Sequence, residues 1–374
     1  YKMSSEAQLQ YHSVIPTNLK SSYKAFDNVD FDLSAGEGRS LNLGSVCIEG
    51  ELQVLENGAR LTDQQVFLDN LTGAHSLFEM CTVAINGGAN VIENLNELPR
   101  YTKMAMAATL DQGDLCNSEN ACELKAPMTQ MTNDLLKGEI PNAQTTAPLF
   151  CNPDFSVKPL ISLNSSNEAL PYRRTGDIRV TLNLARNFAV VHGYSVTAQT
   201  EYEIHDLRIT FTSSPDDGSN DPVGMKTKQY IKQSVQSNFA NIQTRANALC
   251  TGMTASFQVQ AEENTAKNNN LALQKVPNLR QTQYLFSDQT NSLVSYIIKN
   301  NVEVVERGIR SMMDTDKNSL STQKLANNDG FLLGLDFDQV LNLKDSPFSV
   351  QISSDISSTV PMIIHQYFHS AIEV

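Results

Sequence analysis

Hydrophobic and polar residues alternate along much of this chain with a period of two, the spacing that sets one face of a β-strand against a core. Val29, Phe31 and Leu33 alternate with polar neighbours, as do Leu41 and Leu43, then Val46 and Ile48, with glycine-containing turns between them. Ile178, Val180, Leu182 and Leu184 continue the rhythm without a break, and Leu207, Ile209 and Phe211 repeat it in EIHDLRITFTSS. The last third returns to it at Phe257 and Val259, at Leu335 and Phe337, and at Phe348, Val350 and Ile352. Helical spacing is confined to short stretches. Met128, Met131 and Leu135 fall on one helical face between Pro127 and Gly138, and Val302, Val305, Ile309 and Met312 do the same. Ser4 or Ser5 is placed to cap one more short helix through Gln10, which Pro16 would stop.

The segment SSPDDGSNDP, residues 213–222, carries the strongest linker signal in the chain. Strand signals fill both sides of it with only brief helical interruptions, which argues for two β-sandwiches rather than a βαβ sheet. The expected division is an N-terminal arm at 1–24, a first module at 25–214, a linker at 215–225 and a second module at 226–374. A gapped echo links the modules. The apolar triplets Val66–Leu68 and Tyr284–Phe286 precede the pairs Ser76–Leu77 and Ser292–Leu293. Each then runs through an apolar strand to Val91-Ile92-Glu93 or Val304-Val305-Glu306. The echo points to tandem duplication of one β module, with chance similarity as the alternative.

Composition narrows the function classes. At 374 residues the chain is comfortable for two domains, and its 40% hydrophobic content suffices for sizeable cores. Only 18% of residues are charged, and Asn, Gln, Ser and Thr fill the difference, which suits β-rich surfaces with large partner-facing areas. The net charge is -13 and the 28 basic residues are scattered, the pair Arg173–Arg174 being as dense as they become. Neutralising nucleic-acid phosphates needs clustered Lys and Arg, so direct nucleic-acid binding is not expected. Six cysteines stand at irregular spacing, Cys47, Cys81, Cys116, Cys122, Cys151 and Cys250, with no CxxC pair to suggest zinc. Free thiols are favoured, with a Cys116–Cys122 bridge left open. Nothing resembles a signal peptide or an 18-residue apolar run, which leads to the expectation of a soluble protein made in the cytosol.

Candidate chemistry does not survive inspection. His365 and His369 would share one face of a helix, but PMIIHQYFHSAIEV is β-branched and aromatic; on a strand the two stand roughly 13 Å apart, too far for one metal. Asp314, Asp316 and Asn318 match the opening ligands of an EF-hand loop, yet the required Gly is Ser319 and the bidentate Glu is Leu325. The linker acids Asp216, Asp217 and Asp221 read as solvated. Gly36 and Gly38 lack the third glycine and the βαβ setting of a dinucleotide site and read as turn glycines. Asn70 and Asn164 begin glycosylation sequons, irrelevant to a cytosolic chain. No catalytic, cofactor-binding or metal-binding residue is assigned, and an enzyme is not expected.

Two β modules, a duplicated segment and an acidic surface without enzymatic motifs resemble the double jelly-roll major capsid proteins of tailless icosahedral viruses, the group that includes membrane-containing phages, polinton-like viruses and adenovirus hexons. The resembling stretches are NLTGAHSLFEMCTVAINGGANVIENLNELPR, TGDIRVTLNLARNFAVVHGY with YEIHDLRITFTS, and GFLLGLDFDQVLNLKDSPFSVQISS. The resemblance implies two tandem eight-stranded jelly-roll sandwiches with a few short helices. It also implies homotrimeric, pseudo-hexagonal capsomers that tile an icosahedral shell. The implied partners are further copies of this chain, neighbouring capsomers, penton and minor capsid proteins, and an internal viral membrane near the N-terminal arm. The implied location is the virion, after synthesis in the host cytoplasm. Residues 105–126 and 260–283 read as bulky loops for outward towers or contacts between tiles. The alternative function is a β-sandwich receptor- or glycan-binding module, against which the absence of Trp counts.

Overall fold

The alternating segments become sixteen principal strands in a computed structural model, which describes residues 9–60, 68–110, 122–125, 154–193, 196–246, 249–266, 268–287, 293–312, 330–345 and 347–374. In chain order the first eight are β1 (Gln10–Val14), β2 (Asn28–Leu33), β3 (Cys47–Glu56), β4 (Phe78–Ile85), β5 (Asn90–Asn96), β6 (Asp154–Val157), β7 (Ile178–Leu184) and β8 (Thr200–Pro215). The second eight are β9 (Gly224–Val235), β10 (Phe239–Thr244), β11 (Leu249–Val259), β12 (Gln281–Ser287), β13 (Leu293–Ile298), β14 (Leu332–Asn342), β15 (Phe348–Ser353) and β16 (Met362–Glu373). Two longer helices complete the frame, α1 (Leu98–Thr109) and α2 (Asn301–Arg310).

The two sets of strands are wired identically. One sheet of the first set runs β1-β8-β3-β6 and the other β2-β7-β4-β5. The second set gives β9-β16-β11-β14 and β10-β15-β12-β13, so each strand occupies the place of the one eight earlier. Sequence neighbours are split between sheets, and distant strands pair. That is the jelly-roll pattern, here twice in tandem. Four short strands, Tyr23–Lys24, Arg39–Asn42, Ala59–Arg60 and Ala169–Pro171, widen the first sheet. By contacts the chain divides into unit 1 (Tyr1–Pro99, Asp114–Thr227 and Ile372–Val374) and unit 2 (Arg100–Gly113 and Lys228–Ala371).

Local sequence explains the strands. In β7 the residues Ile178, Val180, Leu182 and Leu184 are all buried while their neighbours are exposed or half-buried, as the alternation requires. In β8 the phase changes midway. Tyr202 and Ile204 point inward, then Leu207, Ile209 and Phe211 do. A bulge absorbs the extra residue: the register to β3 shifts between His205 and Arg208, and Asp206 takes φ +49. Without that bulge one half of the strand would turn its apolar side to water. Between the sheets of unit 1, Phe78 of β4 meets Phe155 of β6 at 6.3 Å between ring centroids. In unit 2 an aromatic cluster fills the same layer. Phe286 and Phe348 from one sheet pack with Phe337 and Phe368 from the other, at 5.2–6.0 Å. Each such fully buried ring contributes about 1.5–3 kcal/mol by leaving water.

The helical expectation for Val302–Met312 holds through α2 for Val305 and Ile309, whereas Val302 is exposed and Met312 lies past the end of the helix. Asn300 caps it by accepting from the Val302 N–H at 2.9 Å, and Val304, Val305 and Ile309 turn inward. Gly308 lets the helix press on β14, since a Cβ there would lie 2.4 Å from Leu332 Cδ1. Three expectations need correction. Gln10 is not the end of a helix: it opens strand β1, because its backbone pairs with Ser213 of β8. Residues 105–109 are not loop but the last turns of α1, where Ala105, Ala107 and Ala108 favour helix. The echo is real in topology but offset in sequence. Val91-Ile92-Glu93 lies in strand β5 and Val304-Val305-Glu306 in helix α2, whereas the equivalent pieces are β4–β5–α1 and β12–β13–α2. The helix expected at Met128, Met131 and Leu135 lies outside the described residues.

Candidate functional site

No cleft with convergent reactive groups emerges from these strands; what distinguishes the two units is the outward face of one sheet in each. In unit 2 that face belongs to β11 and β16. Ser256 stands opposite His365, and Thr254 opposite Tyr367. These four, with Gln258 and His369, are buried even though Met253, Phe257, Ile364 and Phe368 occupy the sandwich side of the same strands. The sheet is therefore covered on both faces, by α1 and, over β11 and β14, by α2 and its end at Ser311. Tyr101 packs against Tyr367 and His369 at ring separations of 5.2 and 5.8 Å, and Lys228 Nζ lies 4.8 Å from the Tyr101 ring centroid.

Arg100 donates to Gln258 Oε1 at 2.7 Å and to the carbonyl oxygens of Asn270 and Ala272 at 2.5 and 3.3 Å. On the face itself Thr254 Oγ1 lies 2.8 Å from His369 Nε2 and 2.7 Å from Ser311 Oγ. The Tyr230 hydroxyl lies 2.8 Å from His365 Nδ1. The two histidines that share a strand are thus engaged by different hydroxyls. Hydrogen bonding makes the burial of these polar groups tolerable and fixes how the helix sits.

The equivalent face of unit 1, on β3 and β8, is charged and stays exposed or half-exposed. It presents Glu49, Glu51, Gln53, Glu201, Glu203, His205 and Arg208. Arg208 Nε reaches Glu49 at 2.8 Å, and Thr210 Oγ1 donates to the same carboxylate at 3.0 Å. Lys24 Nζ lies 2.7 Å from Glu203 and 3.9 Å from Glu201, with His205 Nε2 3.3 Å from Glu203 on the other side. The hydrogen bond from Lys24 holds the Glu203 carboxyl below its usual range. Pairs this exposed contribute little to stability.

Unit 1 also contains a buried ionic cluster. Asp69 Oδ1 accepts from the N–H groups of Leu71 and Thr72 at 3.0 and 2.9 Å and starts the 3-10 turn Gly73–Leu77. That turn places His75 Nε2 3.2 Å from Glu123, which also pairs with Lys125. The Ala74 N–H donates to the Glu123 carbonyl at 2.8 Å. Burial pushes the Glu123 carboxyl up, but the hydrogen bonds and charges of His75 and Lys125 outweigh it and bring it to about 2. Burial lowers the proton affinity of His75. The sequence showed no sign of this cluster, since its two halves, Asp69–His75 and Glu123–Lys125, are brought together from 48 positions apart.

The remaining candidates have structural places. Asp216 and Asp217 accept from the N–H groups of Gly218 and Ser219, and Arg173 Nε reaches Asp216 at 2.9 Å. Arg174 donates to the carbonyls of Ser219, Asp221 and Val374, so the one basic pair in the sequence ties down the linker. Gly36 and Gly38 have φ of +84 and +71, as turn glycines do. Asn164 spends its amide on the carbonyls of Val46 and Pro159, and Thr72 is buried, so both sequons serve the fold. Cys81 and Cys122 are free thiols, and Cys250 Sγ lies 3.8 Å from Ser370 Oγ; Cys116, Cys151 and the Asp314–Asn318 segment lie outside the described residues. Among the described residues no three His, Cys, Asp or Glu side chains are grouped to hold a metal ion, and no helix is long and apolar enough to cross a membrane.

Two tandem eight-stranded jelly rolls define the class: this chain has the double jelly-roll fold. Solved structures that share it are viral shell proteins. The Faustovirus major capsid protein matches with a TM-score of 0.62 over 100% of this chain and 91% of its own, at 9% identity. The PBCV-1 capsid matches with 0.62 over 99% and 96%, at 10% identity. The mavirus major capsid protein matches with 0.54 over 100% and 92%, at 9% identity. No family model matches the sequence, and no curated protein matches it. At such identities the likeness is one of fold.

Proposed function

We propose that this chain is a major capsid protein whose three copies form a pseudo-hexagonal capsomer that tiles an icosahedral shell. The observation that carries this reading is the repetition of one eight-stranded wiring in the two halves of the chain. Two near-equivalent modules in each of three copies make six corners, and a six-cornered tile packs on a quasi-hexagonal lattice. The jelly roll of β1–β8 and that of β9–β16, joined by the linker between Pro215 and Gly224, supply the two corners.

The polar, uncharged composition suits wet contacts between tiles. In this reading the chain is structural rather than catalytic and resides in the virion after synthesis in the host cytoplasm. Its partners are neighbouring capsomers, penton and minor capsid proteins and, near the N-terminal arm, an internal membrane. Light scattering followed by negative-stain microscopy tests it. A particle of three times 41.3 kDa with six corners, or closed shells, is the expected result. A stable monomer that never assembles would overturn it and favour a receptor- or glycan-binding module.

A further inference from the structure

The duplication has produced a helix in each module, and the two helices are in different states. The chain after β5 becomes α1, which from Arg100 onward is built into unit 2, with Tyr101 and Arg100 on the outward face of β11 and β16. Leu98 through Ala105, with Ala107 and Ala108, are all buried. The chain after β13 becomes α2, which is covered on one side only. Val304, Val305, Gly308 and Ile309 are inside, while Val302 is 53% exposed and Arg310 projects from the last turn. The strand leading into it adds Leu293 and Ile297, at 73% and 52% exposure.

Unit 1 shows the complementary vacancy. Its β3–β8 face is the counterpart of the face that α1 covers, and it stays exposed or half-exposed. Along its β1 edge Tyr11, Ser13 and Ile15 are the exposed alternate positions, with Tyr11 at 79% and Ile15 at 61%. Exposed large apolar side chains elsewhere among the described residues are mostly scattered singly. They concentrate in two stretches, Leu9 to Phe26 on unit 1 and Leu293 to Val302 on unit 2.

We infer that these two surfaces bind each other between copies. The β13–α2 segment of one copy seats on the β1–β8–β3 face of unit 1 of the next, as α1 seats on unit 2. This rests on the capsid reading and names its contact. The surfaces differ, so the contact is head-to-tail, the kind that a three-fold rotation closes into a ring. Charge agrees: Glu49, Glu51, Glu201 and Glu203 outnumber Lys24 and Arg208 on the open face, whereas the incoming segment carries Lys299, Arg307 and Arg310 against Glu303 and Glu306, with Arg310 paired to Glu306. The same acidic surplus disfavours an anionic lipid surface as the occupant.

The test places a photo-reactive benzoylphenylalanine at position 11 of the full chain, mixed with isotope-labelled wild-type chain before assembly. Peptide mass spectrometry then maps crosslinks made between copies in the assembled particle. Crosslinks into residues 293–310 of the other copy are expected. Crosslinks into residues 9–26 of the other copy, or particles that form with no crosslink to 293–310, would overturn the contact while leaving the capsid reading intact. A chain that remains monomeric would instead overturn the capsid reading, and the contact with it. As a second arm, Ile297→Glu with Val302→Glu should fold with the wild-type circular dichroism spectrum. It should also weaken trimerisation measured by sedimentation at least about tenfold, the size expected for core positions of an interface. Unchanged association would count against the proposal.

Discussion

Strands β8 and β16 hold the same place in their jelly rolls but treat their outward sides in opposite ways. In β8 the outward residues include Glu201, Glu203, His205 and Arg208, charged and open to water. In β16 they are His365, Tyr367 and His369, aromatic rings that are buried and packed against Tyr101 and Tyr230. One wiring therefore supports a sheet with one buried face and a sheet with two. The choice lies in whether the outward positions carry groups that must stay hydrated or groups that covering helices can satisfy by hydrogen bonding and stacking.

Four measurements would break or sharpen that contrast. The largest effect is expected from Tyr101→Ala, which removes the ring covering Tyr367 and His369. The unit 2 transition in calorimetry should lose about 3–5 kcal/mol, the usual cost of emptying a buried aromatic site. An equal loss from Tyr11→Ala in the monomer, where little change is expected, would erase the distinction between covered and open faces.

Acidification comes next and acts on unit 1. His75 has a folded proton affinity below its ordinary 6.5, so protonation below that pH favours the unfolded chain. Glu123 has its carboxyl at about 2 against an ordinary 4.5; the stability it contributes is complete above 4.5 and lost as the pH falls through about 2. Both effects weaken unit 1 in acid, and the Glu123 carboxyl alone accounts for on the order of 3 kcal/mol once the pH is below about 2. Melting temperature followed from pH 7 to 3 should fall, and Glu123→Gln should flatten that slope. A slope unchanged by the substitution would remove the cluster from the account.

Arg100→Met keeps the apolar stem but leaves Gln258 Oε1 without the Arg100 donor and the Asn270 carbonyl with only Gln258 Nε2. It should cost about 2 kcal/mol in denaturant unfolding, the penalty for stranding a buried acceptor. The smallest effect is expected at Glu203→Gln. Its pair with Lys24 lies on the open face, so stability should change by less than about 0.5 kcal/mol. A loss of several kcal/mol there would mean that the face is covered within the monomer.

The sequence by itself determined the local structure. Strict alternation placed β2, β7, β8 and β15 and identified which side of each faces a core, because side chains on a strand alternate by geometry alone. Apolar spacing placed α2, and Pro, Asp and Gly placed the linker. Alternation fell silent where a sheet is buried on both faces. MIIHQYFHS of β16 reads as a strand without a preferred side, since both of its faces are inside.

Only the tertiary structure decided the rest. The true repeat, β4–β5–α1 against β12–β13–α2, is held by pairing between strands far apart in sequence, and that pairing tolerates different residues. A by-eye match of letters therefore aligned a strand with a helix. The assignment of α1 to unit 2, the joining of His75 to Glu123 and the openness of the β3–β8 face are likewise long-range outcomes. They follow from which surfaces meet when the sheets close, and no local pattern encodes that.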